Sequence, residues 1–270
     1  MSSDLEIRRI SLLDYYKIGK ITSSAFSAAL SGSYSSGSDC YKNGELIYEK
    51  LPLPELNAYE QKLLDAVIEF NNLKKNLRNR LNKHMLQFGA YDSKTKELLG
   101  IAVWEFPGYR RSLLRILRNA FETIIVYSYI AVKAAKLKFL LLFFPRVRQA
   151  VKLKIERYDS FWASLMRNHL RELKNFGYPA DRQKIYFLWT LAVSPTAQRR
   201  GVGKKLLEHT LLEVDKGDYV SALDASEFGA PLYAKYGYIK GPFTPVDPKG
   251  KIGTTFMYRP AKSEREKEVE

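Results

Sequence analysis

The stretch Gln198-Arg199-Arg200-Gly201-Val202-Gly203 decides how this chain is read. An apolar run precedes it, Ile185-Tyr186-Phe187-Leu188-Trp189-Thr190-Leu191-Ala192-Val193, with the composition of a buried strand. After it, Val202, Leu206, Leu207, Leu211 and Val214 recur at helical spacing. Glycines and cations therefore stand where a strand turns into a helix. The first-turn amides of a helix have no intrahelical partner, and the dipole there favours negative charge. Gly201 and Gly203 let a phosphate approach the backbone, while Arg199, Arg200, Lys204 and Lys205 add full charges. The expected ligand is a pyrophosphate.

Two familiar cradles are excluded. The long glycine spacing and Gly-Lys-Ser/Thr ending of a P-loop are absent. A dinucleotide fingerprint needs three glycines, and only two are present. The run instead resembles the acetyl-coenzyme A loop of the GNAT N-acetyltransferases, Gln/Arg-x-x-Gly-x-Gly/Ala, with Gln198, Gly201 and Gly203 in the defined positions. Leu191-Ala192-Val193-Ser194-Pro195 looks like the end of that family's central strand. Downstream, Tyr219-Val220-Ser221-Ala222-Leu223 reads as the next strand. The following Asp224-Ala225-Ser226 through Leu232-Tyr233 to Gly237-Tyr238 resembles the second GNAT signature, in its fungal-type form with an acidic-Ala-Ser opening. The resemblance covers Ile185–Tyr258 well and the first part of the chain more loosely.

The resemblance implies an α/β (α+β) GNAT fold, a mixed, mostly antiparallel sheet flanked by helices. It also implies transfer of the acetyl group of acetyl-coenzyme A, as co-substrate, to a primary amine by direct attack in a ternary complex. The acceptor would be a small-molecule or peptide amine. Leu191, Ala192 and Val193 would present backbone groups to the cofactor's arm, and Ser226 would lie near that arm. The amides of Gln198, Arg199, Arg200, Gly201, Val202, Gly203 and Lys204 would hold the pyrophosphate. Tyr233 falls on the family's frequently catalytic tyrosine and would protonate the leaving thiolate, since a phenol is protonated at neutral pH and close in acidity to a thiol; the plainer alternative is a core aromatic. Many family members carry a base, Glu, on the central strand, where this chain has Trp189 and Thr190. Glu105 and Asp224 are the remaining candidates, and water is a third route for the proton. Trp104, Trp189 and Tyr34 are candidate linings of an acceptor pocket.

Composition bounds the rest. The 270 residues, 46% of them hydrophobic, suffice for one large domain or one with an insertion. We read a single domain over 1–260, a helical insertion at about 108–180, and a charged, disordered tail over 261–270. A lone cysteine, Cys40, excludes a disulfide framework, and three scattered histidines, His84, His169 and His209, offer no metal cluster, so no metal is expected. The start, Met1-Ser2-Ser3-Asp4, lacks the basic-then-apolar order of a signal peptide, and a cytoplasmic setting is the default.

The net charge of +15 is uneven: residues 108–157 hold 12 basic and 2 acidic side chains, whereas residues 1–107 hold 14 and 13. Leu114, Leu117, Phe121 and Ile124 form an apolar stripe, and the apolar runs Thr123–Val132 and Phe139–Phe144 are separated by Lys133, Lys136 and Lys138. Neither run reaches the roughly 20 residues of a membrane span. Two or more amphipathic helices capping the sheet are expected. Peripheral membrane contact through 109–157 is the alternative, since apolar stripes edged with Lys and Arg suit anionic lipid. Nucleic acid is not expected, because Leu, Ile and Phe dominate the segment and no recognition motif accompanies the charge. The rival functions are therefore a coenzyme A binder without catalysis and a membrane-peripheral protein governed by the insertion.

Elsewhere, Glu6–Ile10 reads as a first strand and Asp14 as the cap of a helix. Ser31–Asp39 reads as a loop and Pro54–Lys83 as a long helix with a solvated basic face at Lys74, Lys75, Arg78, Arg80 and Lys83. Met85–Tyr91 and Leu98–Phe106 read as a hairpin, and Gly253–Tyr258 as a final strand.

Overall fold

The computed structural model describes residues 5–30, 41–42, 45–46, 54–82, 84–107, 113–154, 171–176, 185–245 and 253–267. Seven strands form one sheet: β1 (Leu5–Arg9), β4 (Met85–Asp92), β5 (Leu98–Glu105), β6 (Ile185–Val193), β7 (Val220–Ala225), β8 (Ile239–Pro245) and β9 (Gly253–Arg259). Their order is β1-β4-β5-β6-β7-β9-β8, and a separate two-stranded ladder joins β2 (Tyr41–Lys42) to β3 (Glu45–Leu46). Every neighbouring pair is antiparallel except β6 and β7. A parallel pair needs a crossover, and helix α6 (Val202–Lys216) supplies it.

The central strands are apolar almost throughout because both faces are covered. On one face α6 buries Val202, Leu206, Leu207, Leu211 and Val214 against Trp104, Leu188 and Leu223. On the other lie α1 (Tyr15–Leu30), α2 (Ala58–Leu81) and α3 (Leu113–Phe143). There Ile18, Phe70, Leu77, Val126 and Ile130 meet Ile101 and Val103. A further helix, α4 (145–154), packs Val147, Ala150 and Val151 on Leu63, Leu64 and Val67 of α2. The helical turn α5 (171–175) sets Leu173 against Ile185, Ala222 and Phe256.

Several expectations change. Helix α2 starts at Ala58 rather than Pro54, because Asn57 and Glu60 form a reciprocal capping box. Arg80 is not on a solvated face: its guanidinium holds Glu122 of α3 at 2.7 and 3.0 Å and donates to the Ile10 carbonyl at 2.5 Å. The Asp14 carboxylate is bound by Lys17 at 2.8 Å and by the Tyr91 hydroxyl at 3.1 Å. The two apolar runs of the insertion, up to Phe143, and the lysines between them lie in one continuous 31-residue helix, α3, about 46 Å long at 1.5 Å per residue. Its buried stripe runs through Val126 and Ile130, while Phe121 and Ile124 point to solvent. Among the described residues no helix is long and apolar enough to cross a membrane.

The tail expected to be disordered carries α8 (Lys262–Lys267). Asp218 accepts from the Ser263 amide at 2.8 Å and hydroxyl at 2.6 Å, and Arg265 reaches Asp215 at 2.7 Å. Local charge pairing thus orders a segment whose composition alone reads as unstructured. The loop Ser31–Asp39, with Tyr34, lies outside the described residues.

Candidate active site

The site grows from a divergence of two strands. β6 and β7 share a ladder only from Ile185–Val220 to Leu188–Leu223. Beyond it, β6 stays paired with β5 through Val193, while β7 stays with β9 through Ala225. Among the described residues, Trp189–Val193 therefore have a strand on one side alone, and backbone groups on the other side face the opening between β6 and β7. A register shift at Val103/Trp104 adds to this: Val103 opposes Thr190 and Trp104 opposes Leu188, so Trp189 is an extra residue in β6.

The loop after β6 is pinned at its base. The Ser194 amide donates to the Leu99 carbonyl at 2.8 Å, and Pro195–Ala197 form a 3-10 turn with Ala197 fully buried. Arg199 (φ 61°) and Gly201 (φ 80°) both adopt left-handed backbone, which turns the chain sharply into α6. Gln198, Arg199, Arg200 and Lys204 are exposed. The Gln198 side-chain amide donates to the Val193 carbonyl at 3.4 Å. Arg200 lies 3.7 Å from Asp92 at the end of β4, and Lys204 lies 3.7 Å from Glu208.

Gly203 sits over the open end of β6. A Cβ there would stand 3.6 Å from Val193 Cγ2, 3.7 Å from Leu232 Cδ2 and 3.9 Å from Leu191 Cδ2. The first turn of α6 thus meets both the free strand edge and α7 (Ala230–Ala234). Ser226 directly follows β7; its Oγ accepts from the Gly229 amide at 3.2 Å and its carbonyl from Ala230 at 2.9 Å, so it shapes the turn into α7. A Cβ on Gly229 would lie 3.2 Å from the Tyr233 ring and 3.3 Å from Ser226 Oγ. Glycine keeps these two side chains adjacent.

Tyr233 is 7% exposed and packs edge-on against Tyr238, ring centroids 5.8 Å apart. Burial, with Tyr238 beside it, pushes its phenol well above the usual range. Tyr238 shares a 2.5 Å hydrogen bond with Ser221, and the Tyr236 hydroxyl donates to Glu208 at 2.8 Å; desolvation and that carboxylate push Tyr236 up to about 12. Both serve packing.

The two carboxylate candidates stand across the sheet from Tyr233. Strand side chains alternate. Trp104 belongs to the α6-side core and Val103 to the other, so Glu105 falls on the α1–α3 face. There its Oε2 accepts from the Trp189 indole N–H at 2.9 Å. Asp224 alternates with Leu223 and Ala225 of the α6 side and so shares the face of Glu105. Trp104, expected at an acceptor pocket, is instead fully buried in the α6-side core. The Trp189–Glu105 pairing and the close approach of Gly229 were not read from the sequence. Both depend on a bulge and a turn that leave no compositional trace. Among the described residues, no group of three or more His, Cys, Asp or Glu stands close enough to hold a metal ion.

Residues 170–240 match the family model described as an acetyltransferase (GNAT) domain. A search of curated proteins finds no match. Solved structures similar to this chain include "histone acetyltransferase HPA2 and related acetyltransferase" from Corynebacterium glutamicum, at 18% identity over 97% of each chain and a TM-score of 0.48. The PaiA N-acetyltransferase of Thermoplasma acidophilum, in complex with coenzyme A, aligns at 12% identity over 95% of this chain and 99% of that one, TM-score 0.46. The mosquito protein "arylalkylamine N-acetyltransferase like 5b" aligns at 13% identity over 94% of this chain and 98% of that one, TM-score 0.44. The matched residues, about a quarter of the chain, hold the strand divergence, the Gln198–Lys204 loop and Tyr233, and this region is similar to a GNAT acetyltransferase domain.

Proposed function

We propose that the protein transfers the acetyl group of acetyl-coenzyme A to a primary amine of a small molecule or peptide, by direct attack in a ternary complex. One observation carries the reading: the divergence of β6 from β7 with the first turn of α6 set over it. The edge of β6 at Leu191, Ala192 and Val193, beyond its ladder with β7, suits the amide-rich arm of coenzyme A. The left-handed turn at Arg199 and Gly201, the amides of Gln198–Lys204, and the cations of Arg199, Arg200 and Lys204 suit its pyrophosphate. Ser226 would border the arm from the β7 side.

The thioester, when bound, supplies an acetyl group already activated for attack. As the amine nitrogen bonds to the acetyl carbon, the carbon–sulfur bond breaks and the thiolate must take up a proton. Tyr233 would provide it: its buried phenol stays protonated at neutral pH, although burial makes it a weaker acid than a phenol in water and so less well matched to a thiol. The proton lost by the amine would pass to Glu105, directly or through water, with Asp224 the alternative acceptor. We read residues 1–260 as one domain with the insertion at about 108–180 as part of it.

The test is release of free thiol from acetyl-coenzyme A in the presence of an amine panel, beside calorimetric binding of coenzyme A. Binding with amine-dependent release supports transfer. Binding with no release from any amine makes the protein a non-catalytic coenzyme A binder, and absence of binding removes the reading altogether.

A further inference from the structure

Helix α3 buries one stripe and presents another. Val126 and Ile130 pack into the core, and Arg80 clamps Glu122 on the same helix, so its rotation about its axis is set. At 3.6 residues per turn, Phe121, Ile124, Val132, Phe139, Leu142 and Phe143 fall within an arc of about 100° on the side away from the core. All six are 61–73% exposed. The gaps along this line are filled by small exposed residues, Ser128, Ala131 and Ala135. Lys133 and Lys136 edge the stripe on one flank and Lys138 on the other, all exposed. Between residues 113 and 154 the chain holds nine basic side chains and one acid, Glu122, which Arg80 already holds.

We propose that this outward face of α3 docks on an anionic lipid surface. A preformed apolar line several turns long with cations on both flanks matches a bilayer interface: aromatic and aliphatic side chains enter the acyl boundary while lysines meet headgroup phosphates and carboxylates. The helix lies flat, since its other side is committed to the protein core. A second copy of the chain fits less well, because face-to-face packing would bring rows of lysine against their own kind.

Cosedimentation of the full-length protein with phosphatidylcholine vesicles, with and without phosphatidylserine, tests this. Binding is expected to be about a hundredfold tighter with the anionic lipid at low salt, at the usual contribution of each lysine near a charged surface, and to weaken steeply at high salt. Val132→Asp/Phe139→Asp should abolish binding while thermal melting and coenzyme A binding stay unchanged. Lys133→Glu/Lys136→Glu/Lys138→Glu should remove the preference for anionic lipid. No vesicle binding at low salt overturns the proposal, as does binding that survives the double aspartate variant. Concentration-dependent dimerisation that the double variant abolishes also overturns it, assigning the face to a second copy.

Discussion

The indole N–H of Trp189 donates to the Glu105 carboxylate at 2.9 Å, and the bond spans β6 and β5 at the bulge that makes Trp189 an extra residue. Without the bulge, strand alternation would set Trp189 and Leu188 differently against β5, and the indole would not meet this carboxylate. The bond orients the Glu105 carboxylate. Glu105→Gln should lower kcat about 100-fold at neutral pH, the lower end of general-base contributions, with coenzyme A affinity unchanged. Trp189→Phe, which keeps the carboxylate and loses only its orienting donor, should cost about tenfold. Wild-type turnover in Glu105→Gln would move the base to Asp224 or to solvent.

Tyr233 makes a prediction about pH. A tyrosine donates only while protonated, and burial raises this one above its ordinary value of about 10. Its acid function should therefore persist as pH rises, and kcat should show no descending limb below about pH 10. Tyr233→Phe should lower kcat about 100-fold and leave coenzyme A binding intact, because the ring still fills the same space beside Tyr238 and Gly229. A descending limb near neutral pH that vanishes in Tyr233→Phe would contradict the assignment.

The two loop glycines should respond differently. At Gly201 an added methyl meets nothing within 4 Å, but φ is +80°, so alanine should cost about 1 kcal/mol through backbone conformation alone. Relaxation of that turn would disturb the amides beside it, and coenzyme A binding should weaken about tenfold, the effect of losing one good hydrogen bond. At Gly203 the methyl would make ordinary contacts at 3.6 Å and beyond, so Gly203→Ala should leave stability and affinity within about twofold. Thermal melting and calorimetry separate the two cases. Equal losses would mean that approach distance, not turn geometry, governs the loop.

What could be read in advance followed local rules. β6, α6, β7 and α7 announce themselves because apolar runs buried on both faces alternate with glycine-marked turns, and the site loop lies among them. β8 did not, since Gly241 and Pro242 interrupt it; as the sheet's edge strand it tolerates a proline and a register shift between Lys240 and Phe243. The continuity of α3 was hidden by Lys133, Lys136 and Lys138, which look like a break. Nothing in Leu113–Phe143 stops a helix, as the span has neither glycine nor proline. Arg80–Glu122 joins residues 42 apart, and Trp189–Glu105 residues 84 apart. Such pairings are set by tertiary packing, so the face on which the candidate base stands was not legible, whereas the strand, turn and helix around Gln198–Gly203 were.

The C-terminal segment is held by charge, and its contribution should depend on acid. Arg259, with 6% of its side chain exposed, grips Asp215 at 2.5 and 2.9 Å, and Arg265 adds a contact at 2.7 Å. Burial alone would raise the Asp215 carboxyl, but the two guanidiniums outweigh it and hold the group below its usual range. A folded-state value below the unfolded one stabilises the protein above about pH 4 and is lost as pH falls through the folded value. Asp215→Asn leaves the buried Arg259 without its counter-ion and should cost about 3 kcal/mol at pH 7. The gap between wild type and variant should narrow progressively in acid, as the wild-type carboxylate takes up its proton. Denaturant unfolding of both proteins across pH reads this directly, and equal stability at pH 7 would show that the ion pair only offsets its own desolvation.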